Sequence, residues 1–520
     1  MIKEKNTEEV TEYKLCQKNM YVEKPSSTQV GALARKGAFW SILLIGGRQV
    51  FSLVFTAVLA RILNPEDYGL IGMVSTLTAL MLVFSEMGLS TATIQTKNLT
   101  QAQVYNLFWI NIFIGLILWG ICYFISPSIA SFYEKQELVE ITIVLGSNFL
   151  INGIAVQPLA LLKRKMDFQS ITIIELSSLI LGGVSGIFFA ISGYGYWSLV
   201  FQTLIISFVR LVLAFIFSKF LPSLPRRGVG TYRLVNFGGL LALNGLCIYF
   251  SRNVDSVLIG KFWGVIELGY YNRAYFLMML PSMIATSVLS QLMVPSLSAL
   301  QDDRERFGKA YRKSVRMVAF IGCPIAAGLA IVAPEMVLLI YGEQWAPVVP
   351  ILIWLSVASI TQPIYNTNGW LFTASGKAKS YLVVTVTNAI VLIGTFIFAI
   401  KGGGVGIAIG YAIAMGIFLP GPTLYLAHQA ANLRVRDTYR ILIPILSVTA
   451  IMSVIAFISG FLAKEINLIW WNILIIKIFS GIVSFIIMTW FFLKQMLIED
   501  FEKLLPKRIY NKLNNKKLVG

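Results

Sequence analysis

The string A-R-I-L-N-P-E-D-Y-G-L at Ala60 to Leu70 returns as G-K-F-W-G-V-I-E-L-G-Y at Gly260 to Tyr270. In each copy an apolar run closes on a cation, Arg61 or Lys261. A short connector then carries a carboxylate (Asp67, Glu267) and a glycine (Gly69, Gly269) into the next apolar run. The pattern predicts two membrane helices joined by a tight outer turn, present twice. With a slip of a few residues, Ser126-Pro127 and Tyr133 answer Ala333-Pro334 and Tyr341, and Ile191 to Gly195 answers Ile400 to Gly404. A repeat of this period is far longer than a solenoid unit, and in an apolar chain it fits a duplicated transporter half.

The apolar character is what makes that reading compulsory. Hydrophobic residues make up 57% of the 520 and charged residues 13%, with a mean hydropathy of +0.74, beyond what a soluble domain of this size carries. At ~20 apolar residues per crossing, about fourteen spans are expected, giving an all-α polytopic membrane protein. Two parallel six-helix lobes would cover 37–220 and 234–428, with a linker at 221–233 and two additional spans within 440–493. Residues 1–36 and the basic stretch 494–520 read as cytoplasmic tails, with no apolar signal segment ahead of Ala38.

The net charge of +18 follows the spans instead of forming a stripe, which argues against nucleic acid. With the N-terminus inside, about three quarters of the 43 Lys and Arg fall on the inner side, so both termini are expected in the cytoplasm. The outer connections are too short to hold an extracytoplasmic catalytic domain. Cys16, Cys122, Cys247 and Cys323 make no C-x-x-C spacing, so neither a disulfide framework nor a metal site is expected. No nucleotide-binding loop is present, since the string from Gly369 to Lys377 has the wrong spacing, and no enzyme activity or cofactor is expected. Gly182, Gly183, Gly186 and the glycine run 402–410 read as helix packing.

The remaining chemistry lies in charges within spans: Arg48, Glu86, Glu175, Arg210, Arg273 and Lys477, with Arg252 and Asp255 at an outer end. A charge in hydrocarbon costs about 2.5–3.5 kcal/mol or more, so these groups must face the bundle interior, a partner or water. The cations outweigh the carboxylates and suit an anionic cargo group such as pyrophosphate, to which arginine offers a bidentate fork. Amides on the same helices, among them Asn148, Gln157, Gln362, Asn368 and Asn388, would line a hydrated path, and Trp197, Trp354 and Trp370 would either stack on sugars or anchor at the interface. Arg252 and Asp255, three apart on one face, form either a structural pair or an outer gate. The single histidine, His428, sits at the inner end of a span as a cap or as a proton relay.

The strings V-L-A-R-I-L-N-P-E-D-Y-G-L-I-G-M at Val58 to Met73, G-L-S-T-A-T-I-Q at Gly88 to Gln95 and L-F-W-I-N at Leu107 to Asn111 resemble the polysaccharide transporter family. So do S-R-N-V-D-S-V-L-I-G-K-F at Ser251 to Phe262 and L-G-Y-Y-N-R-A-Y at Leu268 to Tyr275. The resemblance is to Wzx-like flippases of the colanic and teichuronic acid exporter branch, within the superfamily that includes the MATE drug exporters. It implies two lobes around a cavity that opens alternately to each side of a bacterial cytoplasmic membrane. The implied cargo is a polyprenyl-pyrophosphate-linked oligosaccharide, a precursor of lipopolysaccharide or exopolysaccharide, flipped from the inner to the outer leaflet. Its pyrophosphate would meet Arg48 and Arg210, with Arg273 and Lys477 as further cavity cations. Glu86 or Glu175 would couple movement to H+ or Na+. A cation-coupled multidrug exporter is the alternative, but its cavity should be acidic whereas these spans lean cationic.

Overall fold

The computed structural model describes residues 27–86, 90, 93–94, 96, 99–226 and 232–492. The first 26 residues, the basic tail, the end of the linker and several positions of the Gly88 to Gln95 string lie outside these. The chain first forms helices α1 (Ser27–Ile62), α2 (Pro65–Glu86), α3 (Gln101–Tyr133), α4 (Glu137–Arg164), α5 (Phe168–Ile191) and α6 (Trp197–Ser218). A stretch Tyr232–Ser298 is interrupted at Gly264, whose φ of 83° suits a residue without Cβ, giving α7 (232–263) and α8 (265–298). Then come α9 (Arg304–Ile340), α10 (Val348–Ala374), α11 (Ala378–Ala399), α12 (403–430), α13 (Val435–Glu465) and α14 (Trp470–Phe492). A π turn, Ala414–Phe418, sits inside α12.

Local chemistry explains where several helices begin and end. Thr100 Oγ1 accepts from Gln103 N at 3.3 Å and Gln103 Oε1 accepts from Thr100 N at 3.0 Å, a reciprocal cap that opens α3. Asp167 and Asp303 accept from the third backbone N–H beyond them at the starts of α5 and α9. The helix α1 starts at Ser27, inside the stretch expected as a tail. Prolines 127, 158, 324, 334, 363 and 444 lie within helices, as bilayer helices tolerate when neighbours satisfy the freed carbonyls.

Among the described residues, ten stretches are long and apolar enough to cross a bilayer, with α11 and most of α12 counted as one. No strand occurs among the described residues, and the chain is a multi-pass helical membrane protein. Large apolar side chains such as Phe124 (81% exposed), Phe398 (85%) and Phe491 (76%) point outward, where hydrocarbon is their natural solvent.

The chain divides into two compact units, 1–272 and 273–520. In the first, α3 lies on α4, α5 on α6, and α1 on α5. Backbones approach closely where glycine allows: Gly115 faces the Phe149 carbonyl and Gly153 the Asn111 carbonyl, while Gly183 receives the Phe55 ring. In the second, α9 packs on α10 and α13, and α13 on α14, around a core that includes Tyr311, Val315, Val318, Leu371, Ile445 and Val448. The packing role expected of the glycines holds at Gly182, which lies against Ile206, at Gly186, against Gln202, and at Gly410, against Thr395 and Ala399, but not at Gly402, which has open space beside it.

The recurring string has a specific structural role. A Cβ on Gly69 would run into the Val265 carbonyl, and one on Gly269 would run into the Pro65 carbonyl. The two copies therefore meet turn against turn, each glycine admitting the other copy's backbone. Asp67 accepts from Asn64 N at 2.9 Å and from the backbone of Tyr196, which ties the first copy to the turn before α6. Lys135 to Glu66 and Lys261 to Glu134, both at 3.0 Å, add exposed ion pairs of small individual weight.

Candidate substrate-handling site

Arg48 lies on the exposed side of α1, one residue from Gly47, which packs on Leu176 of α5. It makes no ion pair among the described residues. Arg210 of α6 reaches Glu175 of α5, Nη2 to Oε2 at 2.7 Å, with the side chains 25% and 19% exposed. Its Nε has no hydrogen-bond partner. Two groups read separately from the sequence, one for cargo and one for coupling, thus form a single half-buried pair. A guanidinium that spends one edge on a carboxylate keeps donors for a second anion.

Glu86 ends α2 and Arg252 lies on α7, but both side chains fall outside the described residues. Asp255, 3% exposed, accepts from the Tyr271 hydroxyl at 2.7 Å and from Ser256 N at 2.8 Å. It therefore ties α7 to α8 across the Gly264 break. Arg273 begins the second unit, with its guanidinium 5.7 Å from the Phe276 ring centre, and its carbonyl accepts from the Tyr341 hydroxyl at 3.3 Å.

Lys477 is more enclosed than Arg210. Its ammonium donates to Glu335 Oε1 at 2.7 Å and to the Ile331 carbonyl at 3.1 Å, and both charged side chains are only 11% exposed. The lysine stem runs so close to Gly460 of α13 that a Cβ there would overlap it. Pro334, lacking an N–H, loosens the turn of α9 beside the Ile331 carbonyl. Lys477 borders an apolar cleft of about 530 Å³ whose walls include Leu280, Ile325, Met452, Ile478 and Phe485. Glu335 was not among the charges singled out in the sequence; the signals for it were its place inside an apolar run and the neighbouring proline.

Several other expectations are corrected by burial. Trp370 is 5% exposed and belongs to the core of the second unit, so it neither stacks on a sugar nor anchors at an interface. Gln157 bonds Thr93 at 3.1 Å, and Asn388 donates to Tyr365 and Thr423 at 2.7 and 3.0 Å. These amides tie helices together instead of lining a hydrated path. Arg164, one of the Lys and Arg counted toward the inner side, is 4% exposed and donates to the carbonyls of Thr93 and Thr96, both at 2.7 Å.

His428 is buried beyond the apolar run that ends at Phe418. Nδ1 meets the Leu424 carbonyl and Nε2 the Thr438 hydroxyl, both at 2.7 Å, and the ring packs edge-on against Tyr311. Burial holds its pKa below the ordinary 6.5, with the Leu424 bond opposing and Arg312 adding to the depression. The folded protein therefore binds this proton less readily than the unfolded chain, so stability falls as pH drops through about 6.5. The melting temperature should decline between about pH 7 and 5, and His428→Gln should flatten that part of the profile. An unchanged slope in the variant would remove the histidine from the account.

Long apolar helices, chains of glycine contacts and charges paired inside the helical units together define a polytopic helical membrane protein. The polysaccharide biosynthesis protein family matches residues 58–350, and the chain belongs to it. The teichuronic acid biosynthesis protein TuaB of Bacillus subtilis is 26% identical over 81% of this chain and 88% of its own length. The lipopolysaccharide biosynthesis protein WzxC of Escherichia coli is 24% identical over 72% of this chain and 77% of its own. Among solved structures, the lipid II flippase MurJ in an inward closed conformation superimposes with a TM-score of 0.70. The match covers 88% of this chain and 99% of that one at 18% identity, a likeness of fold.

Proposed function

We propose that this protein is a flippase that moves polyprenyl-pyrophosphate-linked oligosaccharide from the inner to the outer leaflet of a bacterial cytoplasmic membrane. The observation that carries the reading is membership of a polysaccharide biosynthesis family on a fold like that of a lipid II flippase. In this reading α1–α14 are fourteen spans, α1–α6 and α7–α12 form two parallel lobes related by an axis along the membrane normal, and both termini are cytoplasmic. The lobes alternate between inward and outward opening, with no chemical step at the cargo. The paired turns at Gly69 and Gly269 are the outer closure, secured behind by Asp255 and Tyr271.

The physics of the cargo sets what the lobes must supply. A pyrophosphate bearing sugars loses its water in hydrocarbon at a prohibitive cost, so it needs a polar path while the apolar tail stays in the bilayer. Arg48 offers an exposed cation, and Arg210 offers the donors that Glu175 leaves free. A pyrophosphate arriving at Arg210 competes with Glu175, and the released carboxylate is then available to H+ or Na+, which joins cargo binding to a coupling ion. The apolar cleft beside Lys477 suits a stretch of polyprenyl chain.

The test replaces the two arginines. In cells that depend on the protein for surface polysaccharide, Arg48→Ala and Arg210→Ala should each reduce export about tenfold or more at unchanged protein level. Arg210→Lys should recover only part of it, because an ammonium keeps the charge and loses the fork. Full export by both alanine variants would overturn the assignment of these cations.

A further inference from the structure

The segment that joins the two repeats is fastened to α3. Residues 221–226 take no regular secondary structure and their side chains are exposed, yet their backbone is held at several points. Phe220, 2% exposed, enters the cluster with Phe108 and Tyr105, at ring-centre distances of 5.3 and 5.9 Å. Trp109 Nε1 donates to the Ser223 carbonyl at 2.9 Å. Asn106 takes both backbone groups of Arg226: Nδ2 donates to its carbonyl at 2.7 Å, and Oδ1 accepts from its N–H at 2.8 Å.

A side-chain amide that exchanges two hydrogen bonds with one residue does what a neighbouring strand does in an antiparallel ladder. Pro222 and Pro225 fix φ and remove two donors that such a short segment would otherwise have to satisfy. Beyond the Phe220 ring, the bonds from Asn106 and Trp109 go to the backbone of the linker. That is how a strap is held, and it differs from a linker left to solvent.

From these contacts we infer that residues 220–226 form a docked strap that limits how far the two halves of the chain can part on the linker's side of the membrane. From Arg226 to the start of α7 at Tyr232 the chain can span at most roughly 20 Å, whereas release from Phe220 onward would allow roughly 40 Å. Docking on α3 thus halves the tether. The inference does not depend on what the protein carries.

Limited trypsin digestion of the full-length protein in lipid nanodiscs tests it, scoring cleavage after Arg226 and Arg227 against cleavage after the exposed Arg306 as an internal standard. In the Asn106→Ala, Trp109→Phe double variant, which loses three hydrogen bonds, cleavage at the strap should rise about tenfold with Arg306 unchanged. Asn106→Asp keeps the acceptor for Arg226 N–H but loses the donor, and should lie between. Spin labels at Lys163→Cys, in the last turn of α4, and at Lys377→Cys, in the turn after α10, should show a longer maximum separation in the double variant. An unchanged strap cleavage rate, equal acceleration at Arg306, or an unaltered distance distribution would each overturn the proposal.

Discussion

Glu335→Ala should destabilise the protein by about 3–5 kcal/mol, because it leaves the Lys477 ammonium enclosed with a single carbonyl for company. The wild-type ammonium has Glu335 at 2.7 Å and Ile331 at 3.1 Å, inside apolar walls that offer no other charge. The cost arises from the unpaired charge and says little about the net worth of the pair. A Glu335→Gln, Lys477→Met double variant should accordingly recover most of the loss, since replacing a buried pair with neutral groups is often close to neutral. Thermal unfolding of the wild type and these two variants in one detergent makes the comparison. A loss below about 1 kcal/mol for Glu335→Ala would mean that water reaches the site and that the pair is not enclosed.

The second large effect is expected at the recurring turn. Gly69→Val must push back the carbonyl of Val265, and Gly269→Val that of Pro65, and backbone cannot yield as a side-chain tip can. Each should cost about 3 kcal/mol, at the upper end of overpacking losses, and export should fall with it. Because either valine alone parts the same two turns, the double variant should lose clearly less than the sum. Gly46→Ala is the matched control, since nothing lies within 4 Å of its added Cβ. Wild-type stability in both valine variants would mean that the two turns do not meet as described.

The sequence made the helical class, the glycine packing and the importance of the recurring string readable, because apolar run length and repetition are properties of the chain itself. It placed a full connector around Lys261 to Glu267, whereas the helix breaks only at Gly264; the polar residues there resemble a loop even though their backbone stays helical on both sides. Charges were readable as charges but not as pairs. Arg210 and Glu175 are 35 residues apart, and Lys477 and Glu335 are 142 apart, so only the packing of α5 on α6 and of α14 on α9 brings them together. Arg164 was hidden for a related reason, as its partners are backbone carbonyls that every residue carries. Gln157 and Asn388 misled because a buried Asn or Gln bridging two helices and one facing a wet cavity look alike in a string of letters.

The most direct test of the central claim is leaflet transfer in a purified system. Proteoliposomes carrying a labelled polyprenyl-pyrophosphate oligosaccharide in the inner leaflet would be sampled with a membrane-impermeant sugar-modifying reagent, with and without an ion gradient. The account predicts protein-dependent appearance of the label outside, reduced by Arg48→Ala and Arg210→Ala. Label that stays inside under every gradient, while the same vesicles expel cationic dyes, would contradict it.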